Sequence, residues 1–193
     1  MNCFQVKEAR VLQKLILIAG PSGAGKTTVS EYLAQKFAIP RVLTHTTRPI
    51  RPGEIPNKSY HFESEESFSQ LHFFEHVQYG SYQYGSSQEA LTNAWEYHDI
   101  VSVIVDIKGA ASYLAAIREQ VFFLYITTSS QRILAERLLK RGDDPNKIKE
   151  RLSGSELNTL PDSLKGSAHI LVNDDWNETK NELATIVHSL KNS

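Results

Sequence analysis

The chain has 193 residues, 40% of them hydrophobic, enough for one domain with a sizeable buried core. Its 21 basic and 22 acidic residues leave a formal net charge of -1, which gives no general electrostatic reason to expect nucleic-acid or membrane binding. A single cysteine, Cys3, excludes an intrachain disulfide framework and a cysteine-cluster metal site, the start MNCFQVKEARVLQ lacks the apolar core of a signal peptide, and no run reaches the length of a membrane span, so cytoplasmic residence is expected.

Lys14 to Ala19 reads as a buried strand, Gly20 to Gly25 as a turn, and Lys26 to Phe37 as a helix with Val29, Leu33 and Phe37 on one face. Within that strand, loop and helix, GPSGAGKT fits the phosphate-loop pattern G-x-x-x-x-G-K-[ST]. Such a loop, here Gly20, Pro21, Ser22, Gly23, Ala24 and Gly25, curls backbone N–H groups around phosphate oxygens at a positive helix end. Lys26 then reaches the outer phosphates, Thr27 offers a hydroxyl to Mg²⁺, and Thr28 belongs with them to the expected ATP site.

From about Thr44 to His98 the pattern changes to short polar strands and turns, an insertion with its own small surface. Arg48 and Arg51 lie three apart beside Pro49, Pro52 and Gly53, so a stiffened chain presents two guanidinium forks that can converge on one phosphate. Tyr79-Gly80-Ser81-Tyr82 reads as a two-residue hairpin turn. Ser86 with Glu89 has capping-box spacing for a helix over QEALTNAWEYH, and Tyr84 can pair across the hairpin. His72, Glu75 and His76 match the inverted zinc motif H-x-x-E-H, a reading that leaves the phosphate loop unexplained.

Apolar runs follow at 100–106 (IVSVIVD), 121–126 (VFFLYI) and 169–172 (HILV), alternating with helical patterns at 130–141 and 177–190. That alternation predicts an α/β fold, a parallel sheet covered by helices on both faces. Asp106 ends its run where a metal-side carboxylate or a simple strand-end cap would sit. The charged stretch 140–152 breaks at Asp144-Pro145, an N-cap followed by a first helical position.

The segment T-T-R-P-I-R-P-G-E, residues 46–54, resembles the T-T-R-x-x-R-x-G-E signature of guanylate kinases, with Tyr60 following in SYHF. The resemblance continues through FFEHVQYGSYQYGSS (73–87), DIKGA (106–110), ERLLKRG (136–142), IKERL (148–152) and VNDD (172–175). It implies a phosphate-loop three-layer fold with a central five-stranded parallel sheet, an inserted β-rich GMP-binding subdomain and a helical lid. The boundaries it implies are 14–43, 99–136 and 153–193 for the core, 44–98 for the insertion and 137–152 for the lid.

The implied activity is transfer of the γ-phosphoryl group of ATP to GMP, and to dGMP as well, with Mg²⁺. Carried over to this chain, Arg48, Arg51, Tyr60 and Tyr84 grip the GMP phosphate, while Thr44, Glu75, Ser86 and Asp106 read guanine. Arg137, Arg141 and Arg151 are the lid arginines, Asn173 lies near the adenine, Lys26, Arg48, Arg141 and Arg151 act on the transferring group, and Thr27 and Asp106 serve the metal. The chain departs from the family pattern at Ile104 and Lys108, where D-x-D-x-Q-G has aspartate and glutamine, in a lid one residue shorter, and in PNKSY. Two other readings remain at this stage: a related kinase of a small phosphorylated metabolite such as a ribose bisphosphate, and a non-catalytic guanylate-kinase-like binding module. Monomer and homodimer are equally compatible with the sequence.

Overall fold

A computed structural model describes residues 13–153 and 159–192. The apolar run Lys14–Ala19 forms strand β1, and helix α1 (Lys26–Phe37) follows the glycine loop at the expected limits. The next stretch supplies two short strands, β2 (His45–Thr46) and β3 (His61–Phe62), helix α2 (Glu65–Ser69), the hairpin strands β4 (Phe73–Tyr79) and β5 (Tyr82–Ser87), and helix α3 (Gln88–Trp95). Then come β6 (Ile100–Ile104), α4 (Ile107–Ile117), β7 (Val121–Thr127), α5 (Gln131–Arg141), α6 (Pro145–Ser153), α7 (Asp162–Lys165), β8 (Ala168–Val172) and α8 (Trp176–Lys191).

The central sheet is parallel throughout, in the order β6-β1-β7-β8. Five strands were expected, and the described residues form four. The fifth place, outside β6, holds a single bridge between Arg41 and Ser102, where Val42 N–H donates to the Ser102 carbonyl at 2.7 Å and Ser102 N–H to the Pro40 carbonyl at 2.8 Å. Proline at position 40 has no N–H to extend the ladder, so pairing stops there.

Side-chain alternation splits the core into two layers. Leu15 and Leu17 of β1 join Val101, Val103, Phe123 and Tyr125 beneath α3 and α4. Ile16 and Ile18 join Leu124 and Ile126 beneath α1, α5 and α8, through Val29, Leu33, Leu134, Leu183 and Val187. Burial on both faces explains why β1 runs apolar from Leu15 to Ala19 without a polar alternate.

A second sheet, in the order β3-β2-β5-β4, is antiparallel except for the β2-β3 pair. Gly80 and Ser81 join β4 to β5 as a two-residue turn, as expected. Phe74 of β4 stacks on Tyr113 of α4 with ring centroids 4.2 Å apart, which fixes this sheet against the core. Two caps differ from the sequence reading. Strand β6 stops at Ile104, and Asp106 caps α4 by accepting a hydrogen bond from Gly109 N–H at 2.8 Å. Ser87, not Ser86, caps α3, accepting from Ala90 N–H at 3.0 Å, while Glu89 turns to His72. The Asp144 carboxylate accepts from the N–H groups of Asn146 and Lys147, so that cap stands as read.

Leu124 is wholly buried in the layer beneath α1. Leu124→Ala is expected to lower unfolding free energy by about 2–5 kcal/mol in urea titrations, through lost burial and an unfilled cavity. Tyr97→Ala, at a site 75% exposed, is the control and should shift stability by less than about 0.5 kcal/mol.

Candidate functional site

Two cavities of about 620 and 600 Å³ meet at Thr27, which lines both. The first is walled by the phosphate loop, with Ser22, Gly23, Gly25, Lys26 and Thr28, and by Arg137, Arg141 and Asn173. Lys26 Nζ donates to the carbonyls of Gly20 at 2.6 Å and Pro21 at 2.9 Å. Burial, reinforced by the charge of Arg141, lowers the Lys26 amine to about 8. A cation so poorly solvated gains strongly from an incoming anion.

Asn173 is buried, and its side chain is occupied by the protein: Nδ2 donates to the Ala24 carbonyl at 2.7 Å and Oδ1 accepts from the Thr179 hydroxyl at 2.9 Å. It braces the loop from the end of β8 while lining the cavity. Arg137 donates to the Asn173 carbonyl at 2.7 Å. Arg141, in the last turn of α5, is paired with Asp143. Arg151 lies on α6, but its side chain is outside the described residues.

The register of the second sheet gathers the other candidates. Glu75 faces Ser86, Val77 faces Tyr84, and Tyr79 faces Tyr82 across β4 and β5, with Tyr84 beside Thr46 of β2. Strand alternation therefore puts Glu75, Ser86 and Tyr84 on one side. The other side carries His45, Phe73 and His76, packed on one another and on Phe68. Glu75 and His76 are thus on opposite faces, and His72 is an exposed partner of Glu89 at 2.7 Å. The zinc spacing consequently has no common focus, and no group of three metal-ligating side chains exists among the described residues.

Glu75 Oε2 is buried without a hydrogen-bond partner among the described residues, and the buried hydroxyls of Ser86 and Tyr113 have only each other at hand. Burial, and then the charge of Asp106, push the Glu75 carboxyl up to about 7. Glycine at 109 leaves room for the Glu75 carboxylate against α4, and a Cβ there would force that carboxylate to shift. Asp106, expected both at guanine and near the metal, caps α4, and its charge acts on Glu75.

Arg48 is 6% exposed and is held by Glu54: Nη1 to Oε2 at 3.0 Å and Nη2 to Oε1 at 2.8 Å. Its guanidinium carbon lies 5.8 Å from the Tyr60 ring centre and 5.9 Å from that of Phe62. Arg51 differs, with an exposed side chain and its backbone N–H on Glu54 Oε2 at 2.8 Å. Hydrogen bonding to Arg48, then to the Arg51 backbone, holds the Glu54 carboxyl below its usual range. Thr44, Tyr60 and Ile104 line the second cavity. Sequence reading assigned no part to Glu54, Gly109 or Tyr113. The first two stand inside the quoted segments RPGE and DIKGA, which was the available signal.

The guanylate kinase family model matches residues 12–190. The chain is similar to the guanylate kinase of Helicobacter hepaticus, 34% identical over 185 residues, covering 92% of this chain and 90% of the relative. It is 33% identical over 190 residues to that of Helicobacter pylori strain 26695, covering 92% and 89%, and 31% identical over 190 residues to that of Chlamydia pneumoniae, covering 95% and 91%. The crystal structure of guanylate kinase from Anaplasma phagocytophilum shares the fold, with a TM-score of 0.60 at 24% identity, over 93% of this chain and 86% of that one.

The Glu75 carboxyl yields a stability prediction. Its folded value of about 7 lies above the ordinary 4.5, so between those values the folded state holds a proton that the unfolded state has released, and stability falls as pH rises through that window. Urea unfolding from pH 4.5 to 8 should show that decline, and Glu75→Gln should flatten it and leave the protein more stable than the parent at pH 8. A parent profile as flat as the variant's would remove the assignment.

Proposed function

The chain belongs to the guanylate kinase family, and we infer that it transfers the γ-phosphoryl group of ATP to GMP, giving ADP and GDP. The observation that carries this reading is the buried, unpartnered Glu75 Oε2 opposite the Ser86 hydroxyl across one strand pair, with only the Tyr113 hydroxyl beside Ser86. Guanine supplies N1–H and an amino group as donors and O6 as an acceptor, so Glu75 and Asp106 accept while the Ser86 or Thr44 hydroxyl donates. Adenine presents an acceptor at N1, which leaves Glu75 unpaired, and an unpaired buried group discriminates strongly.

The acceptor phosphate lies with Arg48, Arg51, Tyr60 and Tyr84, and the donor triphosphate on Gly20 to Thr28 with Lys26, under Arg137, Arg141 and Arg151. These residues align two nucleotides, exclude water and spread positive charge over the transferring group, which is most of what phosphoryl transfer needs. An incoming triphosphate competes for the Lys26 N–H groups now on Gly20 and Pro21, and its charge restores the amine's basicity.

Mg²⁺ fits the donor set: Thr27 offers a hydroxyl at the junction of the two cavities. Without a carboxylate cluster, nucleotide oxygens and waters complete the shell, and the ion neutralises phosphate charge when bound. Asp106 belongs with guanine on this reading and serves the metal only through water. The division into core, GMP-binding insertion (44–98) and lid (137–152) is part of the same proposal, as is a cytoplasmic setting. No helix among the described residues is long and apolar enough to cross a membrane. A binding-only role has little support from a phosphate loop that retains every motif residue, and a ribose bisphosphate would leave Glu75 and Ser86 unused.

Purified protein with ATP and Mg²⁺ in a coupled ADP-release assay should turn over GMP and dGMP well above AMP, UMP, CMP and ribose phosphates. Lys26→Ala should abolish turnover and retain GMP binding. Absence of GMP turnover, or equal rates across the panel, would overturn the reading. Ile104 beside Thr27 predicts a weak demand on protein carboxylates for the metal: activity survives with isoleucine, and Ile104→Asp lowers the Mg²⁺ concentration for half-maximal rate by no more than about tenfold. A variant that gains activity from none would mean the parent is a lapsed kinase.

A further inference from the structure

We infer that Glu54 is a positioning residue for the acceptor phosphate, holding Arg48 by the terminal edge of its guanidinium so that the Nε edge is left for phosphoryl oxygens. The inference rests on the GMP site proposed above.

The donor inventory of Arg48 is nearly closed. A guanidinium has five N–H groups in a fixed plane. The terminal edge is taken by Glu54, and Nη1 also donates to the Pro49 carbonyl at 2.7 Å. What remains is Nε–H and the second N–H of Nη2, which together form the other edge. Nε is buried and has no hydrogen-bond partner among the described residues, while the Tyr84 hydroxyl lies against the group. Rings of Tyr60 and Phe62 flank it. A cation with one edge saturated, a buried Nε–H unpaired on the other and the Tyr84 hydroxyl beside it is arranged for an oxyanion on that edge.

Local sequence explains how Glu54 reaches this place. Arg51-Pro52-Gly53-Glu54 closes on itself, with Glu54 N–H donating to the Arg51 carbonyl at 3.0 Å and Gly53 at φ 86°. Proline followed by a positive-φ glycine is the pattern of a type II turn. Glu54 ends that turn, so its carboxylate folds back over the Arg51 N–H and onward to Arg48. One carboxylate thereby fixes both arginine-bearing ends of the segment.

A competing arrangement is that phosphate displaces Glu54, in which case the carboxylate is an inhibitor of GMP binding. The two differ in sign. With Glu54 as positioner, Glu54→Gln raises KM for GMP about tenfold with kcat and KM for ATP within about twofold, and Glu54→Asp, whose shorter reach pulls the fork away, raises it as well. Inhibition by guanosine, which lacks the phosphate, stays unchanged in both variants. A fall or no change in KM for GMP overturns the inference. So does a rise matched by weakened guanosine inhibition, since general loosening of the loop would do that. No GMP turnover by the unsubstituted chain would overturn the acceptor site itself, whereas normal parent kinetics with either of the former results overturns only the part given to Glu54.

Discussion

Burial of β1 on both faces and both edges is the constraint from which the rest of the molecule follows. Its residues are paired to β6 on one side and β7 on the other, and Leu15, Ile16, Leu17 and Ile18 are each no more than 1% exposed. A strand enclosed in this way has one free end, and the chain leaves it at Gly20 with no sheet partner for the next backbone amides. Those amides and the start of α1 are therefore turned toward the open end of the sheet, where an anion can satisfy them. Asn173, at the end of β8, ties the Ala24 carbonyl to the same edge, so the loop inherits the rigidity of the core.

The second sheet uses its two faces differently. One is filled by Phe68, Phe73, His76 and His45, with His45 bridging Glu63 and Ser87 at 2.9 Å each. That hydrogen-bonded, aromatic side gives the small sheet its stability. The opposite face leaves a buried Glu75 oxygen unsatisfied, a cost that a purely structural surface would not carry. The raised Glu75 carboxyl expresses the same fact in protonation: without a donor ligand the site does not readily hold two carboxylates in charged form, and a ligand bearing two N–H donors relieves it.

A common electrostatic pattern joins the two halves. Four of the expected phosphate-binding cations are seated on protein acceptors: Lys26 on loop carbonyls, Arg48 on Glu54, Arg137 on the Asn173 carbonyl and Arg141 on Asp143. Arg48 and Arg141 meet a carboxylate, whereas Lys26 meets only neutral carbonyls and is left poorly solvated. On the proposed reading a substrate phosphate takes over the hydrogen bonds of Lys26, whereas at Arg48 it adds to the Glu54 pair by using the Nε edge, and its full negative charge favours both. Pre-organisation of this kind reduces the entropy cost of binding.

Much of this was legible in the residues alone. The strand, loop and helix from Lys14 to Phe37, the hairpin at Gly80 and the cap at Asp144 were read at their observed places, because each depends on local periodicity, turn chemistry or a short motif. Acceptor residues were named through the family resemblance, which marks positions but not contacts. Tertiary structure decided the rest. Whether the run after Pro40 becomes a strand depends on the partner edge of β6. Whether Ser86 or Ser87 caps α3 is a one-residue matter of register that spacing does not resolve, and it determined which hydroxyl was left free. The pairing of Arg48 with Glu54, the room that Gly109 leaves for the Glu75 carboxylate, and the action of the Asp106 charge on Glu75 join segments that are distant in sequence or turned back by a loop. Sequence pattern carries the period of an element and the chemistry of its residues; which side chains meet, and which polar atoms are left without a partner, is set by how the elements pack.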